Sequence, residues 1–527
     1  MSIPRLLALL AVLIAGSVQA AIDPALLQAL GGDDPDARTA AVVQLAVLPD
    51  PQARVVLQAM QDDTLFTAGS RVLIITGEQA QDAGTGLAVS PVPDSPEAVT
   101  VNNRLRGDVA KALALLDLGK PDVTVRRAAA KELASDAPPA FAGVMKDAAL
   151  HEKDPETGHL LMTAAARANL SSTEVSQRLA AVRDLSDSGD PGVAALLKPL
   201  AEAGEPDPGV RAAAKTALAA VERRLFVGES LDRLFTGLSL GSILLLAALG
   251  LAITYGVMGV INMAHGEFLM IGAYSAYAMQ GLFETHLPQF QTWYLAAALP
   301  LGFFSAALIG VLLERLVIRH LYGRPLETLL ATWGLSLILI QAARAVFGPQ
   351  NVSVANPGWM SGSLTLTPSL VLPWNRMLII AFAIAVLVLT WALMQRTRLG
   401  LYVRAVTQNR PMAGCVGVRT YQVDSMAFAL GAGIAGLGGV ALSQISNVGP
   451  EMGQGYIVDS FMVVVLGGVG QLAGAVWAAL GLGVAAKFLE GWTGAVVAKI
   501  LVLAFVIVFI QKRPQGLFAQ RGRNVES

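Results

Sequence analysis

Long apolar runs alternate with short basic segments in the second half of the chain, and this alternation most constrains the fold. The runs recur from Leu234 to Gln511, and each is near the roughly 20 residues that a helix needs to cross a bilayer. One basic segment, Arg396–Arg419, carries five arginines and no acid. Because Lys and Arg resist transfer across a membrane, we expect this segment on the cytoplasmic side.

Composition divides the chain into two parts. The 527 residues are 54% hydrophobic and 15% charged, with a mean hydropathy of +0.56, yet the text up to Glu229 is polar and alanine-rich. This contrast predicts two domains, 21–229 and 230–527. The net charge of −1 gives no argument for binding nucleic acid. The only cysteine, Cys415, cannot form an internal disulfide.

The first twenty residues, Met1–Ala20, predict an export signal. Arg5 supplies the positive start, Leu6–Gly16 the apolar core, and Val18 and Ala20 are small residues where a signal peptidase cleaves. The apolar run is short for about 30 Å of hydrocarbon, which favours cleavage over an uncleaved anchor helix. With either outcome the residues that follow leave the cytoplasm.

Residues 21–229 predict an exported helical repeat domain. Four stretches each combine an acid or threonine, then an arginine, then Ala-Ala and then a leucine, as expected of helix starts and closely packed helices. They resemble HEAT-type repeats, in which helix pairs stack into a solenoid. The stretches begin at Asp34, Asp122, Thr173 and Asp207 and carry Arg38, Arg126, Arg178 and Arg211.

One section of this domain, Thr64–Val101, does not fit the helical pattern. Its segment Arg71–Thr76 has strand-like β-branched text, so we expect a small β excursion. No grouping of metal ligands, nucleophile and base, or paired carboxylates occurs here, and neither a catalytic nor a metal site is predicted. A solenoid presents a long concave face, which indicates a docking surface for a partner protein.

The second domain predicts a polytopic membrane bundle of about eight or nine spans, giving an all-α fold overall. The least certain span is Asp459–Gly470, which is short enough that a broken or re-entrant helix is an alternative. The predicted spans are Leu234–Ile261, Asn262–Gly281, Thr292–Ile318, Thr328–Phe347, Met377–Gln395, Val423–Ser446, Asp459–Gly470, Leu472–Glu490 and Ala495–Gln511.

Counting spans from an exported N-terminal domain tests the assignment. The connections Phe283–Gln291 and Gly348–Asn375 fall outside and contain no Lys or Arg, whereas Arg315–Arg324 and Arg396–Arg419 fall inside and are basic. The last span then ends inside at Lys512. The export signal and the charge bias agree, which predicts a bacterial inner-membrane protein with its C-terminus in the cytoplasm.

Several motifs of this half, in order, resemble the LivH branch of ABC importer permeases. The resemblance covers about Leu234–Phe518, and the preceding helical extension resembles that of the urea permease subunits in this branch, the UrtB type. The motifs are INMAHGEFLMIGAY (Ile261–Tyr274), RPLETLLATWGLSLIL (Arg324–Leu339), the basic segment Arg396–Arg419, VVLGGVGQLAGAVWAALGLG (Val464–Gly483) and KRPQGLF (Lys512–Phe518).

The resemblance implies an import system with several partners. A periplasmic binding protein delivers the solute, this chain and a second permease subunit form the path through the lipid, and two cytoplasmic ATPases use the ATP. The chain itself lacks the GxxxxGK[ST] phosphate loop, so no cofactor is expected on it. The resemblance assigns coupling to the ATPases to Arg398, Gly400, Arg404, Asn409, Ala413 and Gly417.

Polar side chains inside the apolar runs are the candidates for the translocation path, because burying them in lipid is costly. Amide and hydroxyl groups suit urea, which is small, neutral and planar. A structural hydrogen bond is the alternative role for His265 and Glu267, and interface snorkelling is the alternative for Gln341. The candidates are Asn262, His265, Glu267, Thr332, Gln341, Gln444 and Asn447.

The sequence leaves the solute open. Urea is favoured because the apolar runs offer few charged partners for a zwitterion; a branched-chain amino acid or a short-chain amide is the alternative. A passive urea or amide channel with an exported scaffold is a second alternative. An enzyme is disfavoured by the missing catalytic groupings.

Overall fold

The computed structural model describes residues 22–518 apart from 78, 94, 203, 368 and 369. The predicted export signal, Met1–Ala20, lies outside the described residues. The chain divides into two compact units between Leu225 and Phe226, whereas the predicted boundary follows Glu229. We describe each unit by itself.

The N-terminal unit is built of short helices around one small sheet. Aspartates cap several of its helices: Asp122, for example, accepts a hydrogen bond from the Thr124 amide at 2.8 Å. Thr173 does not act as a cap, because Glu174 is the residue at the start of that helix. The helices are α1 Pro24–Gly31, α2 Pro35–Val47, α3 Pro51–Gln61, α4 Asn103–Asp117, α5 Val123–Asp136, α6 Ala142–His151, α7 Pro155–Asn169, α8 Val175–Leu185 and α9 Pro191–Ala201.

The predicted β excursion is an antiparallel sheet of five strands in the order β4-β3-β2-β1-β5. The predicted segment Arg71–Thr76 is its central strand, and Val72, Leu73 and Ile74 are buried. The sheet therefore adds its own apolar face to the helical core. Its strands are β1 Leu65–Ala68, β2 Arg71–Thr76, β3 Gln79–Asp82, β4 Ala88–Val89 and β5 Glu97–Ala98.

The four arginines of the repeated stretches make the same contact. Each guanidinium donates to a backbone carbonyl six residues upstream and so fastens the turn before its helix, which gives these arginines a structural role. The pairs are Arg38 with Gly32, Arg126 with Lys120, Arg178 with Ser172, and Arg211 with Glu205.

The second unit is a helical bundle. Within the described residues, seven helices are long and apolar enough to cross a membrane. Eight or nine spans were predicted; the two further ones correspond to His265–His286, which is less apolar, and Met452–Gly467, which has only 16 residues. The helices are α10 Pro208–Met258, whose residues up to Leu225 belong to the N-terminal unit, α11 His265–His286, α12 Tyr294–Leu316, α13 Pro325–Phe347, α14 Trp374–Arg396, α15 Arg398–Gln408, α16 Arg410–Cys415, α17 Thr420–Leu442, α18 Met452–Gly467, α19 Leu472–Thr493 and α20 Ala495–Lys512.

Glycines bring the helices of the bundle into backbone contact. An added Cβ at Gly436 would overlap the carbonyl oxygen of Gly302, and one at Gly439 would overlap that of Leu269. In lipid, where hydrophobic exclusion of water does not drive helix association, such close approach lets helices pack tightly. The glycine-rich run Gly431–Gly439 therefore packs α17 against α10, α11 and α12.

The loops sort by charge onto two ends of the bundle. At one end, here the basic end, Arg410 of α16 contacts Tyr322 of the loop before α13 and Asp424 of α17, and the tail at Leu517 bonds the end of α18. At the opposite end, Tyr294 donates to the Ala355 carbonyl at 2.6 Å. The basic loops thus share one end, as the span count predicts.

Two features depart from the predicted continuous, all-α spans. The loop at the opposite end contains a β-hairpin, β6 Ser363–Thr367 with β7 Leu370–Pro373. The second predicted span, Asn262–Gly281, is wrong at its start, because the helix begins only at His265. Segment 259–264 is non-helical, and Gly259 has a positive φ of 66° that turns the chain after α10.

Candidate functional site

The break between α10 and α11 lies inside the bundle. The first residue of α11, His265, points its Nε2 at the carbonyl oxygen of Ala247 at 3.0 Å, eleven residues before α10 ends at Met258. An added Cβ at Gly266 would overlap the carbonyl oxygen of Gly453, in the first turn of α18. Two helix starts therefore meet within the bundle, where Gly266 of α11 contacts Gly453 of α18.

Asn262 and His265 are buried at this break with hydrogen-bonding capacity to spare. Their side chains are 2% and 0% exposed. Asn262 Oδ1 accepts a bond from the Ala264 amide at 3.0 Å, but Asn262 Nδ2 and His265 Nδ1 have no partner. Most buried polar atoms are paired, so the unpaired ones make these residues candidates for binding a water molecule or a solute.

Glu267 and Thr332 join the same cluster from two helices. Ser336 of α13 donates to Glu267 Oε1 at 2.9 Å, while Glu267 Oε2 is unpaired. Thr332, one turn before Ser336, accepts from the Met263 amide at 3.1 Å. Four predicted path residues thus come together: Asn262, His265, Glu267 and Thr332. We call this group, with Ser336, the break cluster.

The other three predicted path residues lie elsewhere. Gln444 is buried at the opposite end, where its amide and the Tyr294 hydroxyl are 3.3 Å apart. Gln341 and Asn447 are exposed on the bundle surface, so the structure does not place them with the break cluster. Helical phase explains Gln341, since Thr332, Ser336 and Ile340 form the buried stripe of α13.

The basic segment folds into two short helices, α15 and α16, with most of its predicted coupling residues in structural positions. Gly400 packs against the backbone of Met394, where a Cβ would overlap the carbonyl oxygen, and Arg404 donates to that same oxygen. Arg404 is therefore engaged within its own chain. Arg398, by contrast, is exposed and has side-chain donors to spare.

The remaining predicted coupling residues shape α16. Asn409 caps it by accepting from the Met412 amide at 2.9 Å, and Ala413 is buried. Gly417, two residues after the end of α16, has a positive φ of 88°, a conformation that suits glycine. The surface that α15 and α16 leave exposed includes Tyr402 and Met412.

The prediction missed an ionic network under this segment. Arg410 is paired with Asp424, and Arg319 with Glu314 at 3.3 Å. Burial raises the pKa of Tyr322, which touches Arg410, to about 12, so its hydroxyl stays protonated. Glu314 and Asp424 are each the only acid in a predicted apolar span. An acid in such a position costs free energy unless it is paired, and this was the sequence signal that could have identified the network.

A cavity of about 700 Å³ opens beside α15 at the basic end. Its lining brings together three carboxamides, Gln395, Gln408 and Gln471, with the Thr407 hydroxyl. The only charged group in that lining is Arg404, which the Met394 carbonyl engages. The cavity therefore offers mainly neutral hydrogen-bonding groups.

Comparisons with known proteins place the second unit in a family. Residues 233–511 match the model described as branched-chain amino acid transport system, permease component. The chain is 30% identical to the branched-chain amino acid permease LivH of Salmonella typhimurium over 305 residues, covering 55% of this chain and 96% of that protein. It is 28% identical to BraD of Pseudomonas aeruginosa over 302 residues, with the same coverage.

A more distant relative is a probable LivH of Methanocaldococcus jannaschii, 24% identical over 290 residues, which cover 52% of this chain and 88% of that protein. No solved structure matches significantly. All these matches fall on about half of this chain. The chain belongs to the family of permease components of branched-chain amino acid transport systems.

Proposed function

We propose that this chain is a permease subunit of an ATP-driven importer in the bacterial inner membrane and that its solute is urea. A second permease subunit, two cytoplasmic ATPases and a periplasmic binding protein complete the system. The basic end faces the cytoplasm, since basic loops are retained there. The N-terminal unit is exported and docks the binding protein.

The choice of a neutral solute rests on two of the three unsatisfied groups in the break cluster. Asn262 Nδ2 is a free donor and Glu267 Oε2 has free bonding capacity, both within the bundle. Urea, with one strong acceptor and four N–H donors, matches such groups. Glu267 has no ion-pair partner among the described residues. No Lys or Arg side chain is therefore paired with Glu267 that could instead bind the carboxylate of an amino acid.

A branched-chain amino acid is the second candidate, favoured by what the relatives are named for. A zwitterion requires partners for two charges, and the apolar helices hold Lys487 with Glu490, 2.7 Å apart, and Asp459 with Lys499, 3.2 Å apart, as ion pairs. The two groups of each pair satisfy one another, so neither is free for a solute. The cavity beside α15, with its carboxamides, likewise favours a neutral solute.

We also propose that α15 and α16 form the contact with the ATPases. Gly400, Arg404, Asn409, Ala413 and Gly417 hold this segment in shape, and Arg398 and the exposed side chains of the segment meet the partner. An exposed arginine fork suits acidic groups on that partner. On this proposal, the buried residues of the segment maintain its shape, and its exposed arginine contacts the ATPases.

Uptake of labelled urea and labelled leucine tests the proposal. Cells lacking this permease but retaining the rest of its system receive the wild-type chain, Glu267→Gln or Asn447→Ala. We expect urea uptake to be restored by the wild type, strongly reduced by E267Q, which replaces the free oxygen by a donor, and retained by N447A, which changes an exposed side chain. Restored leucine uptake without urea uptake would contradict the choice of urea.

The same cells separate active transport from a passive channel. Removing the ATPase partners should abolish urea accumulation, because the chain has no phosphate loop of its own. Accumulation that persists without them would overturn the ABC mechanism.

A further inference from the structure

We propose that six side chains at the basic end form a clamp that makes α16 and the start of α17 move as one body, so that force reaching the basic segment enters the bundle through α17. This inference rests on the proposed coupling function and concerns residues outside the predicted coupling set. The clamp consists of Glu314, Arg319, Tyr322, Arg410, Asp424 and Ser425.

The first arm of the clamp joins α16 to α17. Arg410 Nη1 donates to Asp424 Oδ1 at 3.2 Å and to the Tyr322 hydroxyl at 2.6 Å, and Nη2 donates to Asp424 Oδ2. The guanidinium carbon also lies 4.1 Å from the centre of the Tyr322 ring. A two-point contact of this kind fixes orientation as well as distance.

The second arm joins the same turn of α17 to the end of α12. Ser425 donates to Glu314 Oε2 at 2.5 Å. Arg319 Nη2 lies 3.3 Å from Glu314 Oε2 and 3.3 Å from the Ser425 hydroxyl. Because Asp424 and Ser425 are adjacent, one turn of α17 is held from two sides.

Burial makes the clamp stiff. The acid side chains of Asp424 and Glu314 are only 4% and 2% exposed, so separating either acid from its arginine leaves a buried charge without compensation. The matched contrast is Arg324 with Glu327, an ion pair in the same region whose side chains are 65% and 57% exposed. Exposed pairs contribute little to position.

The far part of α17 reaches the break cluster through rigid contacts. Gly431 packs on the backbone of Gly250, whose own added Cβ would meet the His265 ring at 3.0 Å, and Gly439 packs on Leu269 in the second turn of α11. Because the backbones of these helices are in direct contact, α17 has little room to shift against α10 and α11. A displacement at Asp424 therefore reaches the helix that carries His265 and Glu267.

Coupling of ATP hydrolysis to uptake tests the clamp in the complete importer reconstituted in vesicles. Asp424→Asn and Arg410→Met are expected to lower solute moved per ATP about tenfold, in the range of ordinary coupling energies, while hydrolysis continues. The double exchange Arg410→Asp with Asp424→Arg should recover part of the loss. Arg324→Met with Glu327→Gln is the control and should behave as the wild type. Equal loss of hydrolysis and uptake, or no change in the ratio, would overturn the clamp.

A distance measurement tests the clamp without reference to the solute. Spin labels are placed on the native Cys415 at the end of α16 and on Met426→Cys, an exposed position of α17. We expect one narrow distance distribution in the complex with and without ATP, and a broadened one after Asp424→Asn. A wild-type distance that changes with ATP contradicts the clamp even if the importer carries urea; a narrow, constant distance supports it even if the solute is not urea.

Discussion

Gly439 lies where α17 touches α11 backbone to backbone. Replacing it with alanine is expected to destabilise the bundle, because the new methyl group must displace the Leu269 carbonyl, and overpacking of this kind costs about 1–3 kcal/mol. Thermal unfolding of the purified chain in detergent measures the loss. Gly334→Ala, where an added Cβ meets nothing within 4 Å, is the control and should leave the midpoint unchanged or raise it. Equal midpoints for both variants would refute the packing.

Single residues also mark where sequence reasoning ends. Polarity inside an apolar run singled out Asn262, His265, Glu267 and Thr332 as path candidates, because burying a polar group is costly. The structure brings these four together, and their role in transport stays a prediction. The pairing of Arg410 with Asp424 depends on how two helices turn back on each other. The local sequence does not determine how far apart Arg410 and Asp424 lie in the fold. For Gln341, the sequence shows that the residue is polar but not which face of α13 it occupies.

At the scale of elements, an ion pair between Arg126 of α5 and Glu152, the residue that follows α6, predicts a pH dependence. The hydrogen bond from Arg126 holds the pKa of Glu152 at about 2, well below its ordinary value of 4.5. The folded state therefore binds fewer protons than the unfolded state in this window, so the stabilisation is present above pH 4.5 and is lost as pH falls towards 2.

Hydrogen exchange across 142–169 measures this effect in the full-length protein. Protection is expected to fall between pH 4.5 and 2, after correction for the intrinsic pH dependence of exchange. Glu152→Gln should lower protection at neutral pH and flatten its fall in acid. If protection in this variant falls in acid as it does in the wild type, a group other than Glu152 causes the acid sensitivity of residues 142–169.

Element boundaries were predictable where apolarity alone sets them. The predicted Met377–Gln395 and Ala495–Gln511 lie within a few residues of the helices Trp374–Arg396 and Ala495–Lys512, because apolar length must match the hydrocarbon. The interruption before His265 was missed because the second span was predicted to start at Asn262, directly after the first, and the polar stretch Asn262–Glu267 was assigned to that span and not to a turn. The hairpin at Ser363–Pro373 was missed because the loop was treated only as a connection without basic residues.

For the whole molecule, the distribution of charge is the basis of the proposed orientation. The basic loops share one end of the bundle and the loops without Lys or Arg share the other, as the span count predicts; the assignment of the basic end to the cytoplasm stays a prediction. The family assignment covers residues 233–511; the N-terminal unit lies outside it. The tendency of basic loops to stay in the cytoplasm predicts the orientation on which the coupling proposal depends.

The native Cys415 tests that orientation most directly, because it is the only cysteine of the chain and is exposed on the basic segment. A membrane-impermeant maleimide is applied to sealed right-side-out and inside-out membrane vesicles. We expect labelling in inside-out vesicles alone, and protection there when the ATPase partners are bound. Labelling of Cys415 in right-side-out vesicles would place the basic segment away from the ATPases and contradict the proposed orientation.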